Sequence, residues 1–300
     1  MRTRALGPYT VSAIGLGAMP MSMTHDGAST SEDRAIATIH AALDAGVTLI
    51  DTADAYAPSW SAVGHNERII AKALTSYKAD RDSIVVATKG GVVRSEGEQW
   101  SFDASISYLR SAVERSLRAL GTDVLDLYQW HVPDQSIPYE EGVANFKTLM
   151  DEGKVRAVGI SNASVEQITI ALDVLGADGL ASVQNEFSPK ALGNEDTLAL
   201  CEKIDTAFLP YQPLGGTDGS GRAVGERFPV FAAIGHDHGV SPQQVVLAWE
   251  LARSQVVIPI PGARRPESIT DSAKAADLEL SPAELAQLTD SLGPAAPGQN

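Results

Sequence analysis

Asp51, Lys89, His131, Ser161-Asn162, Gln184 and Tyr211 each stand at the end of a different short apolar run, and all are types that move protons or hold polar ligands. Tyr56 follows Asp51 by five residues in Asp-Thr-Ala-Asp-Ala-Tyr, close enough to share a surface with it. A free phenol, with a pKa near ~10, is a poor acid at neutral pH. A neighbouring ammonium favours the phenolate and is expected to draw that value down, each unit being worth about 1.4 kcal/mol. Lys89 can supply the charge, and Asp51 can keep a buried ammonium from losing its proton. His131 can donate a hydrogen bond to a carbonyl oxygen beside the phenol. A group of this kind protonates an oxygen while something else attacks the carbon bonded to it.

The elements that must position these residues are legible as an alternation. Leu49-Ile50, Ile84 to Ala87, Val124-Leu125 with Leu127-Tyr128, Ala157 to Ile160, Ala181 to Val183, Ala207 to Leu209 and Val256 to Ile258 join a run at Ile14 to make eight candidate strands. Most are too short and too continuously apolar for an antiparallel surface, and read as buried parallel strands. Between them lie helix signals. Ile106, Leu109, Val113, Leu117 and Leu120 recur at helical spacing after Asp103, the expected N-cap. Ser164 with Gln167, Ser241-Pro242 with Gln244 and Ser281-Pro282 with Glu284 are capping-box patterns. Repeated strand-helix alternation predicts right-handed βαβ units. A closed (β/α)8 TIM barrel fits best, with a doubly wound open sheet as the runner-up. In such a barrel the strand ends share one mouth, where active sites form. The Leu6 to Val11 stretch predicts an N-terminal hairpin capping the barrel bottom, and residues 1–300 read as one domain.

Of 300 residues, 44% are hydrophobic and 20% charged, which excludes a largely disordered or collagenous chain. Lys and Arg total 23 against 38 Asp and Glu, a net charge of −15 that disfavours nucleic-acid or anionic-membrane partners. No apolar run approaches the ~20 residues of a spanning helix, and the N-terminus has no signal-peptide pattern, so a cytoplasmic location is expected. The single cysteine, Cys201, forbids an intrachain disulfide and reads as a buried small hydrophobe. Pro213 to Arg222 is glycine-rich and a candidate lid, without the GK[ST] ending of a phosphate-binding loop. Gly15-Leu16-Gly17 likewise lacks the third glycine of a dinucleotide fingerprint. His236 and His238 flank Asp237 as a solvated face, and no metal site is expected.

The chain resembles the aldo-keto reductases over almost its whole length. The resemblance is carried by Leu-Gly-Pro-Tyr-Thr-Val-Ser-Ala-Ile-Gly-Leu-Gly-Ala-Met from Leu6, Asp-Ala-Gly-Val-Thr-Leu-Ile-Asp-Thr-Ala-Asp-Ala-Tyr from Asp44 and Asp-Leu-Tyr-Gln-Trp-His from Asp126. Gly-Lys-Val-Arg-Ala-Val-Gly-Ile-Ser-Asn, Val-Gln-Asn-Glu-Phe-Ser, Pro-Tyr-Gln-Pro-Leu-Gly and Ile-Pro-Ile-Pro-Gly-Ala-Arg-Arg-Pro-Glu-Ser follow in order. It implies metal-free, NAD(P)H-dependent reduction of aldehydes or ketones by direct hydride transfer. By that resemblance Tyr56 is the general acid, Lys89 and Asp51 tune it, and His131 orients the substrate carbonyl. Ser161, Asn162 and Gln184 are expected to bind the nicotinamide carboxamide, and Tyr211 to stack on its ring. Leu214, Gly215, Arg222, Pro261, Gly262, Ser268 and Ser272 are further expected cofactor contacts.

In relatives with a similar Pro-Gly-x-Arg-x-Pro-Glu segment the Arg binds the adenosine 2′-phosphate, which assigns that role to Arg264 and makes NADPH the expected cofactor, with NADH less preferred. Ser268 and Ser272 stand where many relatives place Arg and Asn, which moderates the expected preference. Val132 replaces the Arg often found after the histidine. Met19, Trp60, Trp100 and Phe187 fall on expected mouth loops and are candidates for an apolar substrate lining. The expected partner is a small carbonyl compound, with the oligomeric state open. A second reading is a cofactor-binding redox-sensing or regulatory subunit with little turnover, as in the aldo-keto-reductase-like β-subunits of potassium channels. A third, metal-assisted hydrolysis or two-carboxylate glycoside cleavage, has only Asp51, Glu186 and His131 to draw on.

Overall fold

The computed structural model describes residues 1–23, 30–78, 81–176, 178–216 and 221–293. Part of the candidate lid, 217–220, lies outside the described residues. The chain opens with an antiparallel hairpin, β1 (Thr3–Leu6) and β2 (Tyr9–Ser12). Then come β3 (Leu16–Gly17), β4 (Leu49–Asp51), β5 (Val85–Gly90), a second hairpin of β6 (Val92–Ser95) and β7 (Gln99–Phe102), β8 (Leu125–Trp130), β9 (Val155–Ser161), β10 (Leu180–Gln184) and β11 (Ala207–Phe208). Interleaved are α1 (Glu32–Asp44), α2 (His65–Ser76), α3 (Ile106–Leu120), α4 (Tyr139–Asp151), α5 (Val165–Leu175) and α6 (Glu195–Lys203). The C-terminal part adds α7 (Val224–Arg227), α8 (Pro229–His238), α9 (Pro242–Arg253), α10 (Pro266–Ala273) and α11 (Pro282–Ser291).

The parallel sheet runs β11-β10-β9-β8-β5-β4-β3 and curls until its edges meet segment 256–262. On one side Phe208 N–H donates to Val256 C=O at 2.8 Å and Ile258 N–H donates to Phe208 C=O at 2.9 Å. On the other, Gly15 N–H donates to Pro259 C=O at 2.9 Å and Gly17 N–H to Pro261 C=O at 3.0 Å. This is a (β/α)8 barrel whose last stave is stitched rather than laddered. Pro259 and Pro261 accept hydrogen bonds but have no N–H to return, so pairing on the edge toward β3 is confined to an isolated parallel bridge between Gly17 and Gly262. The expected strand at Ile14 pairs instead through Leu16 and Gly17.

Inside the barrel, Leu49, Val85, Ala87, Leu127, Ala157, Leu209, Ile258 and Ile260 pack together. Leu6 and Val11 of the first hairpin join this cluster and close it from below. Gly7, with φ +52°, permits that closure, because a Cβ there would lie 2.6 Å from the Cβ of Ala181. The helices cover the outside, α1 through α6 each against the next and α10 back against α1. Ser164 and Ser281 form complete capping boxes with Gln167 and Glu284. Ser241 caps Gln244 N–H, but the Gln244 amide turns to Asp271 at 2.6 Å. Ser105, not Asp103, caps α3; the Asp103 carboxylate instead accepts the Ser105 N–H at 2.9 Å. Cys201 is buried, and burial pushes its thiol up to about 12.

Glu250 on α9 is fully buried, and neither carboxylate oxygen has a hydrogen-bond partner among the described residues. Burial holds its pKa well above the carboxylate range, so it is carried as the neutral acid. A raised acid loses stability as pH climbs past its unfolded pKa, because the unfolded chain ionises first. Glu250→Leu is therefore expected to stabilise the fold at pH 7 by about 1–3 kcal/mol. The gain should shrink as pH falls toward 4, which melts at pH 7 and pH 4.5 would show.

Candidate active site

Strand alternation carries the inward face from the apolar core up to the polar mouth. Leu49 leads to Asp51, Ala87 to Lys89, and Leu127 to Gln129 and then His131. On β10 the register slips between Leu180 and Ser182. That irregularity re-aims the strand, so Ser182 reaches Gln129 at 3.2 Å and Gln184 reaches Asp51 at 2.7 Å. Gly159 leaves room for this crossing, because a Cβ there would meet Ser182 Oγ at 2.3 Å.

The four residues of the expected proton-transfer group meet at this level. Lys89 Nζ donates to Asp51 Oδ1 at 2.5 Å, to the Thr52 carbonyl at 2.9 Å and to the Tyr56 hydroxyl at 3.4 Å. The Tyr56 and His131 rings meet edge to face, centroids 5.5 Å apart. Asp51 Oδ2 accepts from both Gln184 and Gln129, the latter at 3.3 Å. Gln129 was missed from sequence, although a glutamine two residues before His131 in an apolar strand is itself an inward-polar signal.

Burial sets the protonation states. It opposes the Lys89 charge, but Asp51 and Tyr56 outweigh it and raise the ammonium's pKa, so Lys89 stays charged. For Tyr56 burial is the largest effect and raises the phenol; Lys89 lowers it without reversing the sign. The sequence expectation of a phenol drawn below its ordinary value is thus corrected: Tyr56 rests as the protonated acid. Burial, assisted by Lys89, lowers His131 to about 3, so its imidazole is neutral and able to donate from one nitrogen. His131 Nδ1 is buried without a partner among the described residues.

Above these residues opens a cavity of about 1360 Å³. That exceeds the ~300–1,000 Å³ that takes a drug-sized ligand. Asp51, Tyr56, His131, Ser161, Asn162, Gln184 and Tyr211 line its inner end. There Ser161 Oγ donates to the Gln184 carbonyl at 2.7 Å, Asn162 Nδ2 to the His131 carbonyl at 2.9 Å, and Tyr211 OH to Asn162 Oδ1 at 2.8 Å. Asn162 adopts φ +57°, a left-handed conformation that asparagine tolerates. Leu214, Arg222, Gly262, Arg264, Ser268 and Ser272 line the other end, joined by Arg34, Gln243 and Arg265, which sequence reading missed. Arg34, Arg222, Arg264 and Arg265, the last of them the N-cap of α10, line this cavity with Glu267 and Asp271. Four cations thus outnumber two carboxylates there on a chain of net charge −15, a local balance suited to phosphate.

Several expected contacts stand elsewhere. Phe187 is fully buried in the outer core, stacked on Trp249 with centroids 5.9 Å apart and edge-on to Phe208. Its ring lies on the helix side of the barrel, so it is no part of the mouth. Trp60 is on an exposed turn outside the cavity lining, its N–H donating to the Glu98 carboxylate at 3.2 Å. Gly215 and Pro261 also lie off the lining; the Gly215 N–H is turned to Gln212 C=O, and the Pro261 carbonyl serves the barrel seam. Met19 and Trp100 do line the cavity, with Val92, Phe102 and Val132. His236 is exposed, and His238 binds Glu284 at 2.6 Å. Among the described residues no group of three or more His, Cys, Asp or Glu is placed to hold a metal ion, and no helix is long and apolar enough to cross a membrane.

Comparison with known proteins agrees with this architecture. An uncharacterized oxidoreductase of Schizosaccharomyces pombe is 33% identical over 291 residues, covering 96% of this chain and 89% of that protein. A Klebsiella pneumoniae aldo/keto reductase, solved in complex with NADP and acetate, superposes with a TM-score of 0.81 at 28% identity, covering 100% of this chain and 98% of that one. The glycerol dehydrogenase of Gluconobacter oxydans gives a TM-score of 0.82 at 26% identity, with 99% and 97% covered. Residues 13–292 match the profile of the Aldo/keto reductase family, and the chain belongs to that family of oxidoreductases.

Proposed function

We propose that this chain is an NADPH-dependent reductase of aldehydes or ketones in which Tyr56 is the general acid. The observation that carries this reading is the Asp51-Lys89-Tyr56-His131 cluster at the inner end of a cavity whose far end is arginine-rich. Bound there, NADPH supplies the two electrons and the hydrogen that reduce the carbonyl carbon. Ser161, Asn162, Gln184 and Tyr211 hold its nicotinamide end, and Arg264 with Arg222, Ser268 and Ser272 its adenosine phosphate end. The neutral His131 donates to the substrate oxygen and fixes it beside the Tyr56 hydroxyl. Tyr56 then gives that oxygen its proton, and the charged Lys89, held by Asp51, stabilises the phenolate left behind. The NADP complex of the Klebsiella relative supports the cofactor assignment.

A panel of aromatic and aliphatic aldehydes, assayed with NADPH and with NADH, tests the reading. Aldehyde-dependent NADPH consumption with alcohol as the product is expected; tight NADPH binding without turnover of any aldehyde would favour the regulatory alternative. Arg264→Ala should weaken NADPH binding roughly tenfold to a hundredfold, the value of about 1.5–3 kcal/mol for a charge-assisted guanidinium-phosphate pair. NADH binding should barely change, and equal losses for both cofactors would refute the 2′-phosphate contact.

The pH profile follows from the protonation states. A phenol raised by burial keeps its proton through neutrality, so reduction should persist on the acid side and fall only above the ordinary phenol value of ~10. A histidine lowered to about 3 contributes no limb near its ordinary value of ~6.5. A kcat that breaks between pH 6 and 7 would contradict both assignments.

A further inference from the structure

Arg94 sits between the wall of the mouth and the turn that carries Tyr56. It lies on β6 in register with Trp100 on β7, in the hairpin that follows Lys89 and Gly90. Its guanidinium covers the Trp100 ring, 4.2 Å from the centroid. Nη1 donates to the carbonyls of Ala55 at 3.3 Å and Ala57 at 3.1 Å, the two residues that flank Tyr56. Nη2 pairs with Glu98, whose other oxygen takes the Trp60 N–H at 3.2 Å, so the far end of the same turn is tied to the same hairpin. The Arg94 side chain is only 4% exposed.

Only a planar fork fits this arrangement. Two carbonyls, a carboxylate and an indole face are engaged by one group, which an ammonium cannot reproduce. The Tyr56 hydroxyl itself is held by a single long bond to Lys89, 3.4 Å. The location of the phenol therefore depends on its backbone, and the carbonyls on both sides of that backbone end on Arg94. Trp100 and Phe102, about half exposed, meanwhile offer the cavity an aromatic wall.

We propose that Arg94 is a positioning residue: one guanidinium fixes both the turn bearing the acid and the Trp100 face against which a ring-bearing carbonyl substrate seats. The inference rests on Tyr56 being the acid. Misplacing a reacting group by about 1 Å can cost as much as 10²-fold in rate. Arg94→Lys is thus expected to lower kcat roughly tenfold to a hundredfold for both 4-nitrobenzaldehyde and propanal, with NADPH affinity unchanged. The solvent deuterium isotope effect on kcat should rise, because proton delivery becomes slow. Trp100→Ala should instead raise KM for 4-nitrobenzaldehyde more than for propanal, leaving the isotope effect as in wild type.

Active sites are counted by NADPH titration, so a folding loss is separated from a slower step. Arg94→Gln, which keeps an N–H donor without the fork, carries the same readouts if the lysine variant does not fold. Wild-type kcat per titrated site and an unchanged isotope effect in the folded Arg94 variant would overturn the proposal while leaving Tyr56 as the acid. A Tyr56→Phe control that stays active would remove the acid assignment itself.

Discussion

Tyr56→Phe is expected to lower kcat for aldehyde reduction by about 10²–10⁴-fold, the range over which a positioned general acid contributes. The corresponding rise in barrier is about 2.7–5.5 kcal/mol. The substitution removes one oxygen that makes a single 3.4 Å bond, and it leaves the 2.5 Å Lys89-Asp51 pair closed. Folding and NADPH affinity should therefore change little, and the edge-on packing against His131 is available to phenylalanine as well. Loss of NADPH binding in parallel with kcat would mean that Tyr56 supports the site rather than serving in it.

Lys89→Met should be comparably severe for activity and harsher for the fold. Lys89 is the group that lowers the Tyr56 pKa against burial, so its removal makes the phenol a weaker acid and leaves the phenolate without its cation. A loss of about 10²–10⁴-fold in kcat is expected on the same scale. Asp51 keeps the Gln184 and Gln129 donors but loses its counter-charge inside the barrel. Breaking a buried pair costs about 3–5 kcal/mol, which for a chain of this size lowers the melting temperature by roughly 5–15 °C. A folded, NADPH-binding protein with a lower melting point and little turnover is the expected result. Wild-type turnover would remove Lys89 from the mechanism, and gross unfolding would leave it only a structural role.

The barrel and the proton-transfer cluster were legible because both follow from strand alternation. Leu49 to Asp51 and Leu127 to His131 are inward positions of the same strands, so apolar runs ending in polar residues announced a shared mouth. The last stave was legible as an apolar run, but it joins its neighbours only by isolated bridges, Phe208 with Val257 and Gly17 with Gly262, where a ladder was expected. Phe187 was misplaced because past the end of a strand the alternation no longer tells inside from outside, and its ring turned toward Trp249. Gln184 was expected to bind the nicotinamide carboxamide; that its amide also reaches Asp51 follows from the slip on β10, which is invisible in residue order. The direction of the Tyr56 shift was misjudged for a related reason: the sequence named the cation but not the depth of burial. Arg94 carried no signal at all, since a lone arginine among Ser, Glu and Gly reads as a solvated charge.

A single-turnover reaction puts the central claim to the most direct test. Protein loaded with one equivalent of NADPH is mixed with excess 4-nitrobenzaldehyde, and loss of the reduced cofactor is followed beside formation of the alcohol. The predicted result is one alcohol formed per NADPH consumed in wild type, and a rate lower by at least ~10²-fold in Tyr56→Phe at equal NADPH occupancy. NADPH that stays reduced in the wild-type complex, or equal rates in the two proteins, would contradict it.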